Sequence, residues 1–276
     1  MANLTTDEVA HYHREGYLIP QFRLSPARMD ALVKALDKLL ANNPGVRPEK
    51  LVSAHIQRKA GQGINGDGKN DEGVQGDDAF LALAQDPDIL DLVEAVIGPD
   101  IILWGAHVFC KPPREGYETP WHQDGHYWPM RPLATCTVWV ALEESLRENG
   151  CLQVIPRSHR DGVTHAHLRE DRDDLALTMR TREDAFDAST AVALELQPGQ
   201  MSMHDVFLIH GAGKNTSGKR RTGIALRYMP GTSVFERNIS LSGTGVNTAF
   251  ATRPLWLLRG VDRTGRNDFK VGHWDD

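Results

Sequence analysis

The sequence predicts a mainly β fold with N-terminal helices, built on a double-stranded β-helix (a jelly-roll, cupin-like core). Two observations predict it. Apolar residues recur at helical spacing up to about residue 100, and from Ile101 onward the chain breaks into short β-rich segments separated by Pro and Gly turns. The 276 residues, without an internal repeat, fit one domain. Within it, 1–100 is mainly helical packing region and lid loop, 101–230 the jelly-roll core, and 231–276 an irregular tail.

Thr5-Thr6-Asp7-Glu8 forms a capping box, and the helix it starts stops at Gly16. Tyr17-Leu18-Ile19 reads as a short strand before Pro20. Ser25-Pro26 places a cap and an N1 proline before a second helix, whose apolar face carries Met29, Leu32, Leu36, Leu39 and Leu40. Residues 58–78 hold six glycines among Asn, Asp and Gln, which reads as a long mobile lid loop. Two short helices follow, one over about 78–85 and one from Asp86-Pro87 to Gly98-Pro99. The expected strands are Ile101–Cys110, Ala134–Leu142, Leu152–Ile155, Ala191–Leu196, Met201–Ile209 and Thr222–Tyr228. Residues 165–190 read as a charged insertion with solvated His165 and His167.

Composition removes several function classes. Hydrophobic residues make up 40% and charged residues 25%, so a core can form and global disorder is excluded. No apolar run approaches the roughly 18–20 residues of a membrane span. The formal charge of −6, with no dense Lys/Arg block, argues against nucleic acid or an anionic membrane as partner. Cys110, Cys136 and Cys151 form no disulfide framework, and no signal peptide is visible, so a cytoplasmic protein is expected.

The chemistry concentrates in two stretches. In Trp121-His122-Gln123-Asp124-Gly125-His126-Tyr127-Trp128, His122 and Asp124 are two apart. On a strand that spacing puts an imidazole and a carboxylate on one face. With one distal histidine they make a facial triad that leaves open positions on Fe(II). A lone His-x-Asp is more often a surface or turn pair, so the second stretch decides. It ends in His210-Gly211-Ala212-Gly213, with Arg221 eleven positions after His210 on the following strand. A buried guanidinium there can hold a carboxylate by two parallel bonds, which suits a 2-oxo diacid chelating the metal. His204 competes with His210. Read as one strand from Met201 to Ile209, the two lie roughly 20 Å apart at about 3.3 Å per residue, and the His-Gly turn favours His210. His107 reads as a core histidine and Arg131 as a surface residue.

These residues carry a family resemblance. Trp121 to Tyr127, Cys136–Val140, Asn149-Gly150-Cys151-Leu152, Ile155-Pro156-Arg157-Ser158-His159, and His210-Gly211 through Asn215 to Arg221 resemble the signatures of the phytanoyl-CoA dioxygenase family of Fe(II)/2-oxoglutarate-dependent oxygenases. The resemblance implies Fe(II), 2-oxoglutarate and O2 as cofactors, with His122, Asp124 and His210 as iron ligands. It implies Arg221 as anchor of the 2-oxoglutarate C5 carboxylate, with Lys111 and Trp139 as further co-substrate contacts. His126, Tyr127 and Trp128 are candidate substrate contacts. Relatives often carry Ser two residues after the distal histidine. Here Ala212 stands there, so that hydroxyl is absent or supplied elsewhere, as by a water or Thr222. With a carboxylate at 124, hydroxylation rather than halogenation is implied.

The expected reaction is hydroxylation of an unactivated C–H bond in a small polar metabolite, amino-acid-like or zwitterionic such as an aminoalkylphosphonate. Competing readings are an acyl-CoA hydroxylase of the phytanoyl-CoA type, a Zn or Mn cupin-like isomerase or hydrolase, and a non-catalytic scaffold.

Overall fold

The computed structural model describes residues 2–57, 74–239 and 250–273. The expected lid falls mostly on 58–73, outside the described residues. Four α-helices are present: α1 (Thr6–Glu15), α2 (Pro26–Asn42), α3 (Asp78–Ala84) and α4 (Pro87–Ile97). The strands are β1 (Tyr17–Leu18), β2 (Leu51–Val52), β3 (Ile101–Lys111), β4 (Thr119–His122), β5 (Met130–Arg131), β6 (Cys136–Ala141), β7 (Leu152–Val154) and β8 (His167–Arg169). They continue with β9 (Met179–Thr181), β10 (Val192–Leu194), β11 (Met201–Asp205), β12 (His210–Ala212), β13 (Arg221–Pro230), β14 (Val234–Phe235) and β15 (Trp256–Arg259).

The helix starts follow their local chemistry. Glu8 N–H donates to Thr5 Oγ1 at 3.2 Å while Thr5 N–H donates to Glu8 Oε2 at 2.8 Å, a complete capping box. Gly16 ends α1 with φ 86°, in the left-handed region that favours glycine. Asp86 accepts from the N–H of Asp88 at 2.9 Å and starts α4, with Pro87 at its first position.

The larger sheet runs β1-β11-β6-β13-β3-β15, with β2 also on β3, and the smaller runs β10-β7-β12-β4; every pairing is antiparallel. Each long strand of the larger sheet has two different faces, as the two-residue period of a pleat requires. Leu103, Val108, Val138, Met203, Ile224 and Leu226 join one core with Leu36 and Leu39 of α2 and Ile89 and Val93 of α4. Burying each such side chain contributes about 1.5–3 kcal/mol. The alternate residues Phe109, Trp139, Ala225 and Arg227 face a cavity of about 200 Å³, whose other wall includes Thr119, His122, Leu152 and His210 of the smaller sheet.

Four elements differ from the sequence reading. Met201–Ile209 is not one strand. Asp205 accepts the N–H of Phe207 at 2.8 Å and turns the chain, so β11 and β12 belong to different sheets. Asp124 is not on a strand; β4 ends at His122 and Asp124 opens a 3-10 turn through His126. Trp256–Arg259, expected as irregular tail, pairs with β3 and edges the larger sheet. The segment 165–190 contains its own two-stranded sheet, β8 with β9.

The Trp139 indole, which lines the cavity, lies against Gly223; a Cβ at 223 would come within 2.0 Å of its Cζ2. Gly223→Ala is therefore expected to overpack the wall and cost about 1–3 kcal/mol. Thermal unfolding checks it: Tm should drop by several degrees, whereas an unchanged Tm would mean that the indole is free to move aside.

Candidate active site

The site is built where the two sheets approach. Across the β12–β4 ladder His210 is the direct partner of His122. Their rings stand 4.2 Å apart at 52°. His122 Nδ1 bonds the Pro120 carbonyl at 2.8 Å, and His210 Nδ1 bonds the Leu208 carbonyl at 2.9 Å. A carbonyl only accepts, so both Nδ1 atoms carry the proton and both Nε2 atoms carry a lone pair. Those atoms lie 3.8 and 4.0 Å from Asp124 Oδ1, too far for a hydrogen bond. One ligand atom from each of His122, Asp124 and His210 lies within 4.8 Å of the others, and all three residues are buried. An ion about 2.1 Å from each donor would hold two donors roughly 3–4.2 Å apart, so the set fits a small divalent metal.

The electrostatics agree with the donor set. Burial lowers the His122 and His210 pKa values, keeping both rings neutral. Burial opposes ionisation of Asp124, but the neighbouring His204 and the Arg227 guanidinium outweigh it, and its pKa is held below the ordinary carboxylate value.

His204 overturns its sequence reading. It is not some 20 Å along a shared strand from His210. The turn after Asp205 folds the chain back, so the two rings are 4.6 Å apart. His204 Nε2 stands 3.5 Å from Asp124 Oδ2, the oxygen turned away from the other two histidines.

Arg221 is buried (2% exposed), with one nitrogen donating to the Gly150 carbonyl and Nε without an acceptor. No carboxylate pairs with it among the described residues, and burial pushes its pKa down to about 10. Trp139 lines the cavity beside it, the guanidinium 5.4 Å from the indole. Gly150 sits at φ 80°, and a Cβ there would collide with the Gly213 carbonyl, so this turn needs glycine.

Other expected contacts fall differently. Lys111 does not line the cavity; its ammonium donates to the Ala212 and Gly213 carbonyls and holds the chain just after His210. Thr222 faces away and donates to Glu143 at 2.7 Å, so it cannot replace the hydroxyl missing at Ala212. Thr119, the cross-strand partner of Ala212, does line the cavity. Tyr127 and Trp128 line it as well, but His126 does not. His126 stacks on His167 at 3.9 Å and 10°. His167 is therefore not solvated: it accepts the Gln123 N–H at 3.2 Å. His107 lines the cavity rather than only the core, stacked on Phe109 at 3.8 Å. Sequence reading missed Arg227, Trp104, Arg253 and Phe250, which also line it. Arg227 had a legible signal, since it shares strand parity with Arg221.

Burial and His126 hold the His167 pKa at about 4, below its ordinary value near 6.5. The unfolded chain therefore binds the extra proton first, and stability present above about pH 6.5 is lost as pH falls toward 4. His122 and His210 act in the same direction. Urea unfolding at pH 7 and pH 5 should show this loss, and His167→Gln should reduce it; an equal loss in the variant would contradict the assignment.

Comparison with known proteins places this geometry. The family profile described as phytanoyl-CoA dioxygenase (PhyH) matches residues 12–223. The chain is 32% identical over 147 residues to the peroxisomal phytanoyl-CoA dioxygenase of Homo sapiens, covering 51% of this chain and 43% of that one. The matched stretch thus spans about half the length of the mammalian relatives. Among solved structures, the apo form of ThoJ, a non-heme monooxygenase, superposes with TM-score 0.70 at 21% identity, covering 93% of this chain and 85% of that chain. The epimerase SnoN, in a complex with Fe3+, alpha ketoglutarate and nogalamycin RO, gives TM-score 0.64 at 22% identity, covering 87% and 91%. With its profile matched over most of its length, this chain belongs to the phytanoyl-CoA dioxygenase family.

Proposed function

We propose that this chain is an Fe(II)- and 2-oxoglutarate-dependent dioxygenase that hydroxylates an unactivated C–H bond of a small polar metabolite. One observation carries the reading: a buried His-Asp-His set and a buried guanidinium without an acid partner face one cavity. Family membership and the iron and alpha ketoglutarate bound to the similar fold of SnoN support it. In this reading the two facing sheets are the double-stranded β-helix, and residues 1–276 act as one oxygenase domain. The three free, buried cysteines fit a reducing compartment such as the cytoplasm. No described helix is long and apolar enough to cross a membrane.

His122 and His210 hold the iron through Nε2 and Asp124 through Oδ1. Bound iron with O2 supplies the oxidising chemistry, coupled to decarboxylation of 2-oxoglutarate to succinate. The protein's task is placement. Arg221 donates two bonds to the far carboxylate of 2-oxoglutarate. Trp139 walls that carboxylate from water, and Thr119 offers the hydroxyl that Ala212 lacks. Lys111 positions the strand below them rather than touching the co-substrate. His204 faces the outer oxygen of Asp124 and leaves Oδ1 for the metal. Tyr127 and Trp128 wall the substrate side.

Anaerobic Fe(II) and 2-oxoglutarate should give the weak visible charge-transfer band of a chelated keto acid. His122→Ala is expected to abolish it. Arg221→Ala should weaken 2-oxoglutarate binding at least tenfold while iron stays bound; unchanged co-substrate affinity would contradict the anchor. The likeness to phytanoyl-CoA dioxygenases favours acyl-CoA as a second reading. A succinate-release screen over small amino-acid-like and phosphonate compounds, with phytanoyl-CoA included, decides between them: turnover of the thioester alone would overturn the small-metabolite reading.

A further inference from the structure

The end of the cavity opposite Arg221 is lined with polar groups that lack partners. On the cavity face of the larger sheet, pairing aligns His204 of β11, Thr137 of β6, Arg227 of β13 and Gly105 of β3 in one row. Arg227 lies six residues after Arg221 on the same strand, roughly 20 Å away at about 3.3 Å per residue. Its Nε is buried without an acceptor, and it makes no ion pair or hydrogen bond among the described residues. It lies 5.1 Å from the Trp128 ring and 5.5 Å from the Trp104 ring. Trp104 Nε1 and Thr137 Oγ1 are likewise buried without partners, and both residues line the cavity.

The hydrogen-bonding inventory of this end is weighted toward donors, with the His204 imidazole of the same row able both to donate and to accept. A guanidinium and an indole N–H only donate, and a threonine hydroxyl can donate. Buried donors left without acceptors destabilise a fold, and natural proteins contain few of them. Their convergence on a cavity is explained if the acceptors arrive with a ligand. Charge points the same way. Among the described residues, Asp124 is the only acidic side chain that lines the cavity. A divalent metal with Asp124, the dianionic co-substrate and Arg221 sum to neutrality, so Arg227 and Arg253, which also line the cavity, add positive charge to it.

We infer that Arg227, with Trp104 and Thr137, forms an oxyanion pocket for the primary substrate, which carries a carboxylate or phosphonate on a short apolar body. The inference rests on the oxygenase reading and deepens it. Trp104 and Trp128 pack the apolar body while the anionic head sits at the guanidinium. Among the described residues no carboxylate besides Asp124 lines the cavity to take an ammonium, so the pocket favours an anion over a zwitterion.

The test is binding to the metal-free protein, followed by tryptophan emission, since Trp104 and Trp128 flank the site. Phenylacetate and benzylphosphonate are compared with benzyl alcohol and benzylamine. The anions are expected to bind at least tenfold tighter than the other two, and Arg227→Met should erase that preference. The same variant should keep or raise Tm, because it removes a half-buried guanidinium that has no ion-pair partner among the described residues. Arg227→Lys, which keeps the charge but not the planar fork, should weaken the anions several-fold and covers the case in which Arg227→Met does not fold. Equal binding of all four probes, or anion affinity unchanged in Arg227→Met or in Arg227→Lys, would overturn the pocket. The 2-oxoglutarate charge-transfer band is measured in parallel. Anion binding that needs Arg227 without any such band would leave the pocket standing and remove the oxygenase reading. A normal band without anion preference would do the reverse.

Discussion

The site depends on a single rung of a β-ladder. His210 of β12 sits directly opposite His122 of β4, and each imidazole spends its Nδ1 proton on a backbone carbonyl two residues earlier in the chain. These two constraints fix the ring positions and the tautomers together. Neither needs the metal, so the donor set is organised by the fold itself. A slip of the ladder by one residue would turn one imidazole to the opposite face of the smaller sheet.

Around that rung the larger sheet divides its labour by side-chain parity. One face is an apolar seat for the helices; the other is a working wall with an arginine near each end. Close packing couples the pieces of that wall. The Trp139 indole fits only because residue 223 is glycine, and it reaches toward Arg221 across that gap. Lys111 works from outside the cavity, through the carbonyls that follow His210. The result is a cavity lined by the His122, Asp124 and His210 set and by the guanidinium groups of Arg221 and Arg227.

Local chemistry was readable in the sequence. The capping box at Thr5, Ser25-Pro26, Asp86-Pro87 and the His-Gly turn act over a few residues, and the structure has helix starts at the first three and a strand at the last. His122, Asp124, His210, Arg221 and Trp139, singled out from motifs, all line one cavity. What was not readable depended on long-range contacts or on a turn concealed in an apolar run. Met201–Ile209 hides the turn because Asp205, which makes it, works through its side chain. That one turn carries His204 from an apparently remote position to the face of Asp124. The burial of His167 depends on its stacking on His126, some forty residues earlier, which periodicity cannot show. Trp256–Arg259 becomes a strand only because β3 offers it an edge.

The most direct measurement is anomalous diffraction from crystals grown without oxygen in Fe(II) and 2-oxoglutarate. The account predicts one iron peak about 2.1 Å from His122 Nε2, His210 Nε2 and Asp124 Oδ1, with the keto acid reaching from it to the Arg221 guanidinium. Iron bound at another place in the molecule, or a keto acid lying away from Arg221, would contradict it.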